Sequence, residues 1–280
     1  MPRLRKNVST PAQPKLGAIG FAVLAATIVF GVAANAQTDG AAKTGRGGVG
    51  QDNLQIATGT ILPLRLEHGF SSKNPRIGRI ITGRIMQDVP LPNSEKIPEG
   101  ARVLGTILSV SPASRGGGGK ISLRFDQVEV HYRKAVIVTD LRAIASFMEV
   151  QYAQIPETSP GFGTPYTWVT TDLIGGDIKY GVGGPVTDSA SQVVGDGTFS
   201  GVLVHVSTKH GSPCRGELDG EHRPQALWVF SADACGVYGM NGLKIAHAGR
   251  SSPMGEISLA ADIGEVNVHG GSGMLLRVVQ

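Results

Sequence analysis

The sequence predicts an all-β protein in which a small barrel-like module is followed by a second β-sandwich or barrel-like domain, after one N-terminal hydrophobic segment. Three observations lead to this fold class. Glycine and proline account for 40 and 16 of the 280 residues, which disfavours a helical bundle. Apolar and polar residues alternate over short segments, and Gly or Pro separates those segments. Helix is therefore expected to be a minor component.

The charge distribution argues against nucleic acid as a partner. The formal net charge is +4, and the first 36 residues supply all of it through Arg3, Arg5, Lys6 and Lys15 without a single acid. The rest of the chain balances 22 basic residues against 22 acidic ones. A protein that neutralises many phosphates needs a basic excess in its folded part. We therefore expect no DNA or RNA binding.

Residues 1–36 are predicted to be a signal peptide or an N-terminal anchor. The stretch Leu16–Ala34 runs for 19 residues without a charge. The small residues Ala34 and Ala36 suit signal-peptidase cleavage before Gln37. A retained anchor is the alternative, since a bilayer core needs about 20 apolar residues. In both cases the basic segment before Leu16 stays on the cytoplasmic side of the membrane. Residues 37–280 are therefore expected to be exported across the inner membrane, where they are either free in the periplasm or anchored by one N-terminal helix.

Residues 37–57 are predicted to be a flexible linker, because they are mostly small, polar or glycine-rich. Strand patterns begin after it and define the barrel-like module at 58–150. Leu62, Leu64 and Leu66 alternate with Pro63 and Arg65. The run Ser114–Lys120 lacks the spacing of a phosphate-binding loop and is interpreted as a hairpin tip.

Within this module, the segments Ile97–Gly105 (IPEGARVLG) and Ile121–Phe125 (ISLRF) flank the glycine-rich tip. This order resembles the barrel module in the C-terminal domain of conjugal-transfer and type IV secretion channel scaffold proteins, over about residues 58–148. The resemblance implies a small β-barrel. The chain shows no long Pro-rich stalk and no helix pair of the kind that would form a channel antenna, so the implication concerns the fold.

The second domain is predicted at 160–280, after a loop at Ser159–Pro165. Its apolar segments are predicted to be strands and lie at Gly201–Val206, Ala226–Phe230, Gly242–Ala246, Gly255–Ala260 and Met274–Val279. The stretches 224–239 (PQALWVFSADACGVYG) and 243–250 (LKIAHAGR), with the ending Gly271–Val278, resemble a block in uncharacterised exported bacterial β-rich proteins. That resemblance implies a family and no activity.

Cys214 and Cys235 are the only two cysteines. In an oxidising compartment an isolated pair is most simply a disulfide. The alternative is a metal or redox site, but there is no second pair and no CxxC spacing. We therefore predict a Cys214–Cys235 disulfide and no metal site.

Catalytic residues are not assigned. The C-terminal half offers histidines and aspartates that could converge with a serine, namely His205, His210, His222, His247, His269, Asp233 and Asp262. No GxSxG, SxxK or HExxH motif accompanies them. His247 is interpreted as a packed strand residue and His269 as part of a turn. Turn formation is favoured over calcium binding for the loop aspartates Asp172, Asp177, Asp188 and Asp196.

Two surface features support binding. A basic strip carries a single acid, Glu67, and comprises Arg65, Lys73, Arg76, Arg79 and Arg84. It could attract anionic lipid or wall polymer, unless Glu95, Glu99 and Asp126 fold beside it. The aromatic pairs Tyr166/Trp168 and Trp228/Phe230 could stack on sugars, but a core role is favoured.

The sequence as a whole predicts a non-enzymatic binding or assembly module of the cell envelope. Its expected partners are envelope proteins or anionic wall or lipid polymer, with the membrane contacted through the N-terminal segment if that segment is uncleaved. No cofactor is expected. The alternative is an envelope hydrolase that uses His and Asp residues of the C-terminal domain.

Overall fold

The computed structural model describes residues 54–74, 76–157, 169–208, 212–214 and 223–280. The predicted signal or anchor at 1–36, most of the linker, the aromatic pair Tyr166/Trp168, and the histidines His210 and His222 lie outside the described residues. Within them the all-β prediction is confirmed, because strands dominate and the only α-helix has six residues.

The strands are, in chain order, β1 Ile61–Leu66, β2 Phe70–Ser71, β3 Ile80–Ile85, β4 Val89–Pro90, β5 Lys96–Ile97, β6 Arg102–Ser111, β7 Lys120–Val130, β8 Arg133–Val136, β9 Thr139–Ala145, β10 Thr170–Asp172, β11 Ile178–Tyr180, β12 Pro185–Thr187, β13 Val193–Gly197, β14 Val202–Val204, β15 Gln225–Ala226, β16 Gly236–Tyr238, β17 Leu243–His247, β18 Ile257–Ala261, β19 Asn267–Val268 and β20 Gly273–Val278. Helix α1 spans Phe147–Tyr152, and a 3₁₀ turn spans Pro92–Ser94.

A ten-stranded sheet organises the described part of the chain. Its order is β16-β9-β20-β1-β3-β6-β7-β18-β17, and β8 pairs with β7. The order runs from β16 to β17 without closing, so this is an open sheet and not a closed barrel. Strands from both the 58–150 and the 160–280 segments contribute to it. The predicted division at 150–160 therefore does not coincide with a boundary between sheets.

The long hairpin of β6 and β7 forms where the alternation is most regular. Inward residues such as Val103, Ile107, Leu123 and Phe125 are buried, and the residues between them are less so. The segment Ser114–Lys120 connects the two strands, in agreement with its interpretation as a hairpin tip. This hairpin forms the wall against which β3 and β18 pair.

Two hydrophobic clusters cover the two faces of the central strands. Leu62, Leu64 and Leu66 of β1 point into a cluster that also takes residues from β6, β7 and β18, so the sheet curls around this core. Ile61 points the other way, into a second cluster shared with Phe230 and the six-stranded sheet. Because both faces are covered, β9 and β20 are buried along their whole length.

The six-stranded antiparallel sheet has the sequential order β10-β11-β12-β13-β14-β15. Its contact with the larger sheet depends on Gln87, whose Oε1 accepts hydrogen bonds from the backbone N–H groups of Val202 at 3.1 Å and Trp228 at 2.9 Å. The amide nitrogen Nε2 donates to the Val202 carbonyl at 2.8 Å. Gly201 allows this close approach, because a Cβ there would lie 2.6 Å from Trp228 Cα.

One strand prediction needs correction. The apolar run Ala226–Phe230 was expected to be a strand, but only Gln225–Ala226 forms one, Phe230 makes an isolated bridge with Ile174, and Trp228 has a positive φ of 57°. The backbone turns there because Gln87 and the carbonyl of Leu227 bind the amides of Trp228 and Phe230. Trp228 and Phe230 are buried, in agreement with the prediction that this aromatic pair belongs to the core.

None of the helices in the described residues has the length and apolar character needed to cross a membrane.

Candidate functional site

Part of the predicted basic strip forms a row of arginines across three neighbouring strands. Arg65 of β1 lies directly opposite Arg84 of β3, and Arg84 lies directly opposite Arg102 of β6. All three are exposed. Neighbouring strands are about 4.8 Å apart, so the row spans roughly 10 Å in a straight line. We call Arg65, Arg84 and Arg102 the arginine row.

The arginine row is only partly neutralised. Arg84 Nε lies 2.6 Å from Glu67 Oε1, and Arg102 lies 3.3 Å from Glu129. Within the described residues Arg65 has no ion pair. The acids considered as alternatives do not balance the row: Asp126, for example, pairs with Arg124. Like charges directly opposite each other destabilise a sheet, so the row is not explained by stability.

The other members of the strip lie elsewhere. Arg79 precedes Arg84 by five residues, which is roughly 17 Å along a strand at about 3.4 Å per residue. Arg76 and Arg79 line a shallow cleft of about 400 Å³ that also contains Asn74, Asn267 and His269. Lys73 is exposed nearby in sequence and does not line that cleft. The five predicted residues therefore belong to two surfaces.

A second group of charges is buried between the two sheets. Asp140 of β9 is fully buried and accepts hydrogen bonds from Arg277 of β20, with Arg277 Nε at 3.0 Å. The two residues are directly opposite in the sheet register. Arg250 Nε lies 3.5 Å from the same carboxylate oxygen. Asp140 thus holds two guanidinium groups at once.

Arg142 is buried by a β-bulge. Leu275 and Leu276 of β20 face Ala143 and Leu141, so Arg142 between them has no residue opposite it. Only 2% of Arg142 is exposed, and its terminal nitrogen donates to the carbonyls of Ser207 and Ala232. Burial, together with the charges of Arg277 and Arg250, lowers the pKa of Arg142 to about 10. It remains a cation at neutral pH.

These charges leave hydrogen-bonding capacity unused. Among the described residues, five buried side-chain atoms have no hydrogen-bond partner, and three of them belong to this cluster: Arg142 Nε, Arg250 Nε and Asp140 Oδ1. Buried polar atoms are normally paired, so such a concentration calls for an explanation. None of these residues was among the candidate site residues predicted from the sequence. The only feature of the sequence that could have indicated them is the presence of two charged residues, Asp140 and Arg142, in an otherwise apolar strand.

A cavity of about 400 Å³ adjoins this cluster. It lies between β16 and β17, the two end strands of the open sheet, and Arg142 and Arg250 reach it from one side. The Cys214–Cys235 disulfide, with Cα atoms 5.8 Å apart, forms another part of its wall and confirms the predicted pairing. Arg250 donates to Cys214 Sγ at 3.3 Å. We call this space the seam cavity.

Of the histidines considered for catalysis, those in the described part of the chain have local partners or are exposed. His247 lies in β17, as expected, with Nδ1 2.6 Å from the Glu256 carbonyl and Nε2 3.2 Å from Ser251 Oγ. His269 contacts Asn267 in the connection between β19 and β20. His205 is exposed after β14. Neither His247 nor His269 lines the seam cavity.

The aspartates have similarly local contacts. Asp177 is buried and accepts from the Ala232 amide at 2.7 Å. Asp188 accepts from the amides of Ala190 and Gln192, both at 2.9 Å, as a turn-forming aspartate does. Asp262 pairs with Lys244 at 2.6 Å. Within the described residues no group of three or more metal-ligating side chains occurs.

Comparison with known proteins adds no assignment, because no protein-family model and no curated protein sequence matches the chain. The resemblances to secretion-channel scaffold modules and to exported bacterial β-rich proteins therefore stay expectations.

Proposed function

We propose that this protein is a non-enzymatic binding module of the bacterial cell envelope, exported or membrane-anchored, and that its arginine row binds a linear anionic polymer. The observation that carries the proposal is the register of Arg65, Arg84 and Arg102 on three adjacent strands. Three exposed arginines on adjacent strands about 4.8 Å apart suit a chain of regularly spaced phosphates or carboxylates.

The geometry favours a polymer over a flat lipid surface. The residues next to Arg102 on the outer face are Glu129 and Lys134, which pair with each other. The exposed apolar side chains of that face lie farther along the strands, at Ile80, four residues before Arg84, and at Val136, two residues after Lys134. A membrane-binding face normally adds apolar or aromatic residues that enter the headgroup region. Guanidinium groups also bind phosphate and carboxylate in a bidentate manner, which a point charge cannot do.

The test is a binding assay with the full-length chain and fluorescently labelled long-chain polyphosphate. Replacing Arg65, Arg84 and Arg102 with Gln is expected to weaken binding by about fivefold per charge, from roughly 1 kcal/mol per cation near an anionic surface. Arg115→Gln, on the exposed hairpin tip, removes one positive charge elsewhere and is the control for each single-arginine variant of the row. A loss in Arg115→Gln equal to that in each single variant would show that only net charge determines binding.

Vesicles distinguish the lipid alternative. Phosphatidylcholine vesicles with and without phosphatidylglycerol are titrated with the same proteins under the same salt conditions. Stronger row-dependent binding to the anionic vesicles than to polyphosphate would replace the polymer with a lipid surface as the partner.

The hydrolase alternative has one supporting observation, the 3.2 Å contact between His247 and Ser251. A serine next to a histidine base is the minimum for nucleophilic catalysis. However, His247 Nδ1 faces a backbone carbonyl rather than a carboxylate. A fluorophosphonate probe decides the matter: labelling of the full chain that disappears in Ser251→Ala would favour the enzyme, and absence of labelling the binding module.

A further inference from the structure

The seam cavity has walls of two kinds. One side is apolar and is formed by Leu141, Val237, Leu243, Ile245 and Ala248 together with the disulfide. The other side presents the cations Arg142 and Arg250, and Lys244 is at the rim. None of the cavity-lining residues within the described part of the chain is a carboxylate. Small-molecule sites typically combine such apolar surface with a few convergent polar groups.

The cavity adjoins a buried cluster of charges. Arg250 and Arg277 pair with the carboxylate of Asp140, and both Asp140 and Asp233 act on Arg142 electrostatically. Burying a cation is costly unless opposite charge and hydrogen-bond partners compensate it. An anion in the cavity would place a further opposite charge beside the buried guanidinium group of Arg142.

The guanidinium groups of both arginines are held in place. Arg142 Nε is buried and has no hydrogen-bond partner in the described part of the chain, whereas Arg250 Nε lies 3.5 Å from Asp140 Oδ2. Their terminal nitrogens are already engaged by backbone carbonyls: Arg142 binds Ser207 and Ala232, and Arg250 binds Leu141. These bonds fix both guanidinium groups in place. A fixed donor needs little reorganisation when a ligand arrives.

We propose that the seam cavity binds a small amphiphilic carboxylate, with its carboxylate held by Arg142 and Arg250 and its hydrocarbon part packed against Val237, Leu243 and Ile245. This site is separate from the arginine row and does not depend on it. The apolar part of the ligand covers the surface between β16 and β17. The ligand class follows from the two kinds of wall.

The experiment measures binding of octanoate to the full-length, oxidised chain, with octanol as the uncharged comparison. Octanoate is expected to bind, and octanol to bind at least tenfold more weakly, since a hydrogen bond to a charged group is worth at least about tenfold in affinity. Arg142→Met and Arg250→Met are each expected to weaken octanoate binding about tenfold or more. Equal affinity for octanol and octanoate would overturn the proposal.

Two further variants keep the test informative if an arginine variant fails to fold. Ala248→Phe narrows the cavity without changing the charge and is expected to abolish octanoate binding. Arg115→Gln is the charge-matched control and should bind octanoate like the original chain. Unchanged binding in Ala248→Phe, or an equal loss in Arg115→Gln, would overturn the proposal. The variant lacking the arginine row should retain octanoate binding, so the two proposals can fail independently.

Discussion

Replacing Gln87 with leucine tests the contact between the two sheets most directly. Gln87 is buried, and its amide group makes three hydrogen bonds to Val202 and Trp228. Leucine would leave the backbone N–H groups of Val202 and Trp228 unpaired in the interior, at about 1–3 kcal/mol each, while the Val202 carbonyl keeps its bond from the Leu227 amide. Burial of the leucine side chain offsets about 1.5–3 kcal/mol of this loss. The net expectation is a loss of about 1–3 kcal/mol in the free energy of unfolding.

Denaturation in guanidinium chloride, followed by tryptophan fluorescence and circular dichroism, measures this loss. Gln151→Leu makes the same change at an exposed position of α1 and should alter stability by less than about 0.5 kcal/mol. Gln87→Glu keeps an acceptor for the two amides but buries a charge, so its stability should rise as the pH falls and the carboxyl group is protonated. A Gln87→Leu protein within 0.5 kcal/mol of the original would refute the reasoning.

Three further predictions concern charge and covalent structure. Asp140→Asn should lower the free energy of unfolding by about 3–5 kcal/mol in chemical denaturation, because its buried arginine partners lose their counter-ion. Replacing Cys214 and Cys235 with serine should cost roughly 3 kcal/mol, measured against the oxidised chain, because the disulfide closes a loop with a sequence separation of 21. The hydrogen bond from Lys96 lowers the pKa of Asp88 in the folded chain below its ordinary value of 3.8. The ionised carboxylate therefore stabilises the fold above pH 3.8, and this stabilisation is lost as the pH falls through the folded-state pKa. The stability difference between the original chain and Asp88→Asn should therefore persist from neutral pH towards pH 3.8 and shrink in acid denaturation curves as the pH falls below that value.

The parts of the fold that could be predicted are those encoded by short stretches of sequence. The alternation in β6 and β7 and the glycine-rich segment between them define a hairpin without reference to the rest of the chain. The disulfide could be predicted because only one pair of cysteines exists. The turn at Trp228 could not, because its apolar neighbours suit a strand and the turn depends on hydrogen bonding to Gln87, 141 residues away.

The sheet topology was beyond a local argument. β16 joins the sheet parallel to β9, and β18 pairs with β7, so strands far apart in sequence become neighbours. Period-two patterns show which face of a strand is buried but not which strand lies beside it. In β9 the pattern is misleading as well: Asp140 and Arg142 suggest a water-facing side, whereas both are buried because the second layer covers that side.

The two kinds of buried polar residue in this protein have different consequences. Gln87 has partners for both atoms of its amide group, which makes it a rigid connection and gives no reason to infer a ligand. Arg142 is equally buried, but it lies at a bulge, keeps an unpaired donor and adjoins a cavity with no lining carboxylate in the described part of the chain. Packing alone would be served as well by an apolar side chain of similar size, since a buried ion pair is often no better than its hydrophobic replacement. The properties that make Arg142 unfavourable for stability are those that a carboxylate-binding residue requires.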